Sequence, residues 1–158
     1  MCKSIDAAVA MVNRSIEMAK SNDDRRYYMD SVKLHKLLYI AQCHALSEYN
    51  VTLFEEKIEA HRCGPLVRGL DLIPGKCGFD IITKKLNHAD FGTIDFPLSF
   101  SRKKAIDDVL EKYGTYSTEK IVYLIKGSSA FQRYEHLCEA HLPIEPEILQ
   151  YAGYELFE

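Results

Sequence analysis

Asp30-Ser31-Val32-Lys33-Leu34-His35-Lys36-Leu37-Leu38-Tyr39-Ile40-Ala41-Gln42-Cys43-His44-Ala45-Leu46-Ser47-Glu48-Tyr49 is the stretch on which the fold turns. Leu34, Leu37, Leu38, Ala41 and Ala45 recur at the spacing of one helix face. Tyr39, Ile40, Cys43 and Leu46 make the remaining sides apolar as well. A helix that is apolar nearly all round sits inside a fold rather than on its surface. Asp30 or Ser31 supplies the N-terminal cap, and Asn50 ends the run. The expectation is a central helix over residues 30–49.

Upstream, Ile5, Ala8, Val9, Val12, Ile16 and Ala19 give a second helix over Ser4 to Lys20, capped by Ser4. Downstream the period changes. Leu53-Phe54 and Ile58 to Cys63 read as short extended pieces, and Gly64-Pro65 punctuates them as a turn leading away from the central helix. Val67 to Ile73 reads as a short helix closed by Pro74-Gly75. The β-branched and aromatic residues of Phe79 to Lys84 and Phe91 to Leu98 suggest a small hairpin. Helices come next over Ser101 to Tyr113, from Ser117 to the break at Gly127-Ser128-Ser129, over Ala130 to Ala140, and from Pro146 to about Phe157. No repeat, linker or low-complexity segment divides the chain. The expected fold class is therefore mostly α (α+β): one domain over residues 1–158, with about five to seven helices around the central one and a small β element.

Composition fits such a domain. Of 158 residues, 47% are hydrophobic and 27% charged, which is ordinary for a globular chain. With 20 Lys and Arg against 23 Asp and Glu, the net charge of -3 argues against non-specific affinity for nucleic acid. The five cysteines are odd in number and form no Cys-x-x-Cys pair, so reduced thiols are expected. The opening Met1 to Asp6 lacks the apolar core of a signal peptide, and no apolar run approaches a bilayer's thickness. A cytoplasmic protein with no membrane contact is the expectation.

Candidate chemistry is thin. His61, Cys63, Cys77 and His88 supply zinc-type ligands in one region, and His136, Cys138 and His141 in another. Neither set has the paired spacing of a zinc site, and Cys63 and Cys77 read better as small packed residues. Cys43 and His44, adjacent on a helix, point in different directions. Gly-x-Ser-x-Gly and phosphate-cradling glycine loops are missing. No catalytic residue, metal or cofactor is therefore expected. What remains is an interface argument. Ten tyrosines and no tryptophan are present, and Tyr27-Tyr28, Tyr49, Tyr113, Tyr116, Tyr151 and Tyr154 fall at element ends or breaks. Tyrosine combines apolar area with a hydroxyl and is enriched at binding surfaces.

Three stretches go further when taken together. Lys33-Leu34-His35-Lys36-Leu37-Leu38-Tyr39-Ile40-Ala41-Gln42 resembles the pattern K-L-Q-K-L-L-Y-Y-A-Q of the Panacea domain, the SocA-like or GepA-like antitoxin family. Leu53-Phe54-Glu55-Glu56-Lys57-Ile58-Glu59-Ala60-His61-Arg62-Cys63-Gly64-Pro65-Leu66 is similar to that family's L-F-x-E-x-I-x-A-W-x-x-G-P-V. Tyr113-Gly114-Thr115-Tyr116-Ser117 through Ile121, and then Phe131, is similar to its Y-G-x-x-S-x-x-x-L and later aromatic residue. His35 stands where the family has Gln, and His61 and Phe131 stand where it has Trp. After Val67 the family's longer helix is interrupted here by Gly69, Pro74 and Gly75.

The resemblance implies an antitoxin-like protein that binds a cognate toxin encoded nearby. SocA-like members also act as adaptors that deliver a toxin to a AAA+ protease. Neither role needs catalysis; the alternatives are a nucleic-acid-binding regulator, which would use Arg102-Lys103-Lys104 with Lys84-Lys85, and a small enzyme using His61, Cys63 and Cys77. Lys33, Lys36, Tyr39, Gln42, His61, Arg62, Gly64 and Pro65 become the candidate partner-contacting residues, with packing and shape of the fold as the other reading of those positions. Lys33 and Lys36, three apart, are expected to share a solvent-accessible face.

Overall fold

A computed structural model describes residues 1–71, 73, 80–134 and 142–157. Helix α1 runs Ser4–Ser21 and buries Ala7, Ala8, Met11, Val12, Ile16 and Ala19 along one side. Its cap is one residue earlier than expected. Lys3 precedes the helix, and its backbone N–H donates to the Asp6 carboxylate at 2.9 Å. Ser4 lies inside the helix, and its hydroxyl donates to the carbonyl of Arg68 at 2.7 Å. The serine thus fastens α1 to a distant loop.

Helix α2, Ser31–Glu48, is the central one. Asp30 caps it by accepting the N–H of Lys33 at 2.8 Å, and Asn50, in the left-handed region at φ 54°, turns the chain away beyond its end. Strands β1 (Ile58–His61) and β2 (Gly64–Val67) form an antiparallel hairpin that pairs Ile58 with Val67 and His61 with Gly64. The turn is Arg62-Cys63, so Gly64 and Pro65 belong to the strand and not to the turn expected there. Pro65 has no N–H to give to a ladder, which suits a short two-stranded piece. The opposite edge of β1 is covered by residues 142–144: Ala60 donates to the Leu142 carbonyl and Ile144 to that of Ile58.

The region from Val67 onward departs most from expectation. Among its described residues no helix forms. Val67 ends β2, and Leu70 and Ile73 drop their side chains into the core around a turn. Pro74, Gly75 and Phe79 lie outside the described residues. Ile82 forms an isolated bridge with Met29 rather than a hairpin with residues 91–98, and His88–Phe91 is a short 3-10 turn. Of the β-branched residues there only Ile82 is buried, while Ile81 and Ile94 are exposed, and among the described residues no strand pairs residues 80–84 with 91–98.

Helices α3 (Phe100–Tyr113), α4 (Thr118–Gly127) and α5 (Ser129–Gln132) each begin at a serine, Ser99, Ser117 and Ser128, whose hydroxyl accepts a backbone N–H of the first turn. The helix expected through Ala140 is described only as far as α5, since residues 135–141 fall outside. Helix α6 spans Pro146–Phe157. Among the described residues there are thus six α-helices and one small sheet. Helix α2 packs most extensively on α6, then on α3, β2, α4 and α1. Thirteen of its residues are buried, and the buried apolar side chains form one contiguous cluster around it. Where α6 crosses, Gly153 lies directly on the Cys43 carbonyl and the Ser47 side chain, a contact too close for any Cβ.

Candidate functional site

The three sequence motifs meet at α2, through its polar residues. Lys33 and Lys36 are each only 4% exposed, so the solvent-accessible face expected for them does not exist. The ammonium of Lys33 donates to the carbonyls of Arg26 (2.9 Å) and Gly114 (2.7 Å). That of Lys36 donates to the carbonyl of Pro65 at 3.0 Å, with its methylenes against Gly64. The Gln42 amide closes a two-way pair with the start of the second motif: its nitrogen donates to the Phe54 carbonyl at 2.9 Å, and its oxygen accepts the Leu53 N–H at 2.5 Å. His35 joins them, since its Nδ1 accepts the N–H of Val67 at 3.0 Å. An apolar helix with a few long polar side chains has to satisfy each of them inside the fold, and here almost every acceptor is main chain.

Electrostatics agree with this reading. Burial pushes the Lys33 ammonium down to about 8, against the opposing pull of Asp30 and Asp24. Burial likewise pushes Lys36 down to about 8 and His35 down to about 4, the latter helped by neighbouring Lys36. Depressed lysines recur at catalytic sites. These two are enclosed and committed to carbonyl oxygens, which makes them structural donors. Tyr39 is fully buried beside Cys43, and burial holds its phenol well above the usual range.

Of the eight candidate contact residues, Lys33, Lys36, Tyr39, Gln42, Gly64 and Pro65 are therefore interior. His61 and Arg62, at the hairpin tip, reach solvent. His61 approaches Glu59 at 3.3 Å, and the carbonyl of Arg62 accepts the Lys126 ammonium from α4 at 2.8 Å. Desolvation raises the Glu59 carboxyl, but Arg68 and His61 outweigh it and hold it below the usual carboxylate range.

The polar cluster that sequence reading missed lies at the other end of α2. His44 Nε2 donates to Asp108 at 2.8 Å, and Tyr49 (2.7 Å) and Lys104 (2.8 Å) converge on the same carboxylate. The His44 ring stacks on Phe157 with centroids 3.8 Å apart. Its Nδ1 is buried, with no hydrogen-bond partner among the described residues. Only the periodicity of α3, which places Lys104 and Asp108 four residues apart, hinted at this cluster. Among the described residues no group of three His, Cys, Asp or Glu is placed to hold a metal ion. Cys77, His136, Cys138 and His141 lie outside them. Burial raises the Cys2 thiol to about 11, and Cys43 is enclosed in the core.

Motifs that cooperate in this way through one helix mark a shared domain type. The sequence model of the SocA-like antitoxin family, the Panacea domain, matches residues 34–130, well over half of the chain. The chain belongs to this family. Comparison with curated proteins and with solved structures gave no match. The matched span of this Panacea domain holds most of α2, the hairpin, α3, α4 and the first residues of α5. Helices α1 and α6 lie beyond it, although α6 provides the largest contact with α2. No helix among the described residues is long and apolar enough to cross a membrane.

Proposed function

We propose that this antitoxin-like protein binds and neutralises one toxin protein, encoded near its own gene, in the cytoplasm. The observation that carries the reading is the family match over residues 34–130. The use of the motif side chains supports it. They are spent on holding the scaffold together, and no described group of residues forms a nucleophile with its base. Neutralisation by binding needs only a surface, and a surface on a rigid scaffold loses little entropy on association.

Two routes to neutralisation remain inside this proposal: direct masking of the toxin, or its delivery to a AAA+ protease. The test is growth of a host that expresses the neighbouring reading frame, with and without this protein. Arrest relieved by co-expression supports the antitoxin role. The same assay in a host lacking its AAA+ proteases separates the routes, because masking survives there and delivery does not. A neighbour that is harmless, or toxic regardless of this protein, overturns the proposal.

A further inference from the structure

His88, a metal-ligand candidate by residue type, has no part in the α2 network. It belongs to residues 83–98, a strap whose regular structure is the single short turn His88–Phe91. Both ends of the strap are fixed. Ile82 is buried and bridged to Met29, and Ser99 caps α3. Between these points three polar side chains of α1 hold it. Glu17 takes the Lys85 ammonium at 3.1 Å. The Asn13 amide donates to the Leu86 carbonyl at 3.0 Å and accepts the Leu86 N–H at 2.7 Å. Asp6 accepts the His88 Nε2–H at 2.9 Å. Leu86, Phe91 and Leu98 of the strap are only half-buried. A cleft of about 840 Å³ lies between strap, α1 and α3, with Val9, Ala10 and Ile106 on its helical walls.

A carboxylate stands at each nitrogen of the His88 ring. Asp6 of α1 lies 2.9 Å from Nε2, and Asp95, from the strap itself, lies 3.7 Å from Nδ1. Asp6 is buried, and its other oxygen already accepts the Lys3 N–H at the start of α1. The remaining charged groups of the cleft are Arg14 and Glu17 on α1, Lys85 on the strap, and Lys103 and Asp107 on α3. Arg14 pairs with Asp107 and Glu17, and Glu17 also takes Lys85. Lys3, next to the Asp6 cap, pairs with Glu55, and Asp90, in the same turn as His88, is exposed. The described ion pairs of His88 are thus with Asp6 and Asp95.

A neutral imidazole has one donor nitrogen and one acceptor nitrogen. With Nε2–H given to Asp6, the Nδ1 lone pair faces the Asp95 carboxylate. An imidazolium has a donor on both nitrogens, so each carboxylate then attracts the ring. We infer that His88 is a pH-sensitive latch, which clamps the strap of residues 83–98 onto α1 when the ring is protonated and loosens it when the ring is neutral. The direction follows from linkage. The clamped strap favours the proton-bound ring, so the extra hold is present in mild acid and is lost as pH rises through the range in which imidazoles titrate, about pH 5 to 8. The Asp95 side chain is 85% exposed, and solvent screening keeps the effect to a few-fold. Loosening uncovers Val9, Ala10 and Ile106 and leaves the bonds of α2 in place, because none of them involves the strap.

The test is amide hydrogen exchange of the full chain by NMR between pH 5.5 and 8, corrected for the intrinsic rate at each pH. The readout is protection of the Leu86 and Thr93 amides, both hydrogen-bonded in the strap, relative to protection in α2. In the wild type this ratio should fall about threefold as pH rises. Asp95→Asn keeps the Asp6 bond and removes the second carboxylate from an exposed position, so its fold is unaffected and its ratio should stay level. His88→Gln keeps a donor for Asp6 and cannot titrate, and its ratio should stay level too. A wild-type ratio that does not change with pH overturns the latch. So does an equal fall in Asp95→Asn or in His88→Gln, which would place the titrating group elsewhere.

Discussion

The Lys33 ammonium lies 2.7 Å from the carbonyl oxygen of Gly114, a residue 81 positions further along the chain. This bond ties the start of α2 to the end of α3 across the core. Lys33→Met keeps the apolar stem but leaves the Arg26 and Gly114 carbonyls without their donor. The variant should lose about 1–3 kcal/mol at pH 7 in urea denaturation. The pH trend has a definite sign. The folded-state value of about 8 lies below the ordinary 10.5, so between them the unfolded chain holds a proton that the folded chain has released. Wild-type stability should therefore rise relative to Lys33→Met as pH climbs from 8 towards 10. A constant gap across that range would contradict the assignment.

His35 acts at the other end of the pH scale. Its folded-state value of about 4 lies below the ordinary 6.5, so it contributes stability above pH 6.5 that is lost as pH falls towards 4. His35→Gln replaces the ring with an amide oxygen able to accept the Val67 N–H and removes the titration. Denaturation midpoints of the variant should fall less than those of the wild type between pH 6.5 and 4.5. An NMR titration of the wild type should show the His35 ring still neutral at pH 5.5.

Gln42 is the sole side-chain bridge to Leu53 and Phe54 among the described hydrogen bonds. Gln42→Ala strands a buried donor and a buried acceptor at once, and the expected loss is about 2–4 kcal/mol. Hydrogen exchange at the Leu53 amide should accelerate more than exchange in α1. Equal acceleration in both would mean that the bridge acts only through global stability.

Gly153→Ala sets two effects against each other. Alanine favours a helix interior by about 1 kcal/mol. The added carbon meets the Cys43 carbonyl and the Ser47 side chain, and a backbone oxygen cannot rotate away. Overpacking of this kind costs about 3 kcal/mol, so the clash wins and a net loss of about 2 kcal/mol should appear in the thermal midpoint. A stabilised variant would show that α6 shifts freely on α2.

The positions of α1, α2, α3, α4 and α6 were legible because each depends on short-range signals, whereas the helix read over Val67 to Ile73 does not form among its described residues. Ser99, Ser117 and Ser128 cap the helices that begin beside them, and the apolar run in α2 is too continuous to lie at a surface. The hairpin's turn was not legible. Gly64-Pro65 carries turn chemistry, but Gly64 uses its positive φ of 104° inside a strand, where a Cβ would press on Lys36. The solvent face assigned to Lys33 and Lys36 failed for a related reason. Helical spacing says which side chains share a side, but not whether distant carbonyls wait there to receive them. The His44–Asp108 pair, 64 residues apart, is a product of packing alone, and no local pattern announces it.

The polar residues of α2 have one further property. Lys33, Lys36, Gln42 and His35 engage carbonyl oxygens and amide N–H groups of Arg26, Gly114, Pro65, Phe54, Leu53 and Val67. Every residue type has a carbonyl, and all but proline have an N–H. Arg26, for example, can be exchanged for any other residue that keeps the local backbone path without unfastening the centre. A scaffold locked in this way keeps its shape while its outer side chains are rewritten, because none of them closes a bond at the centre.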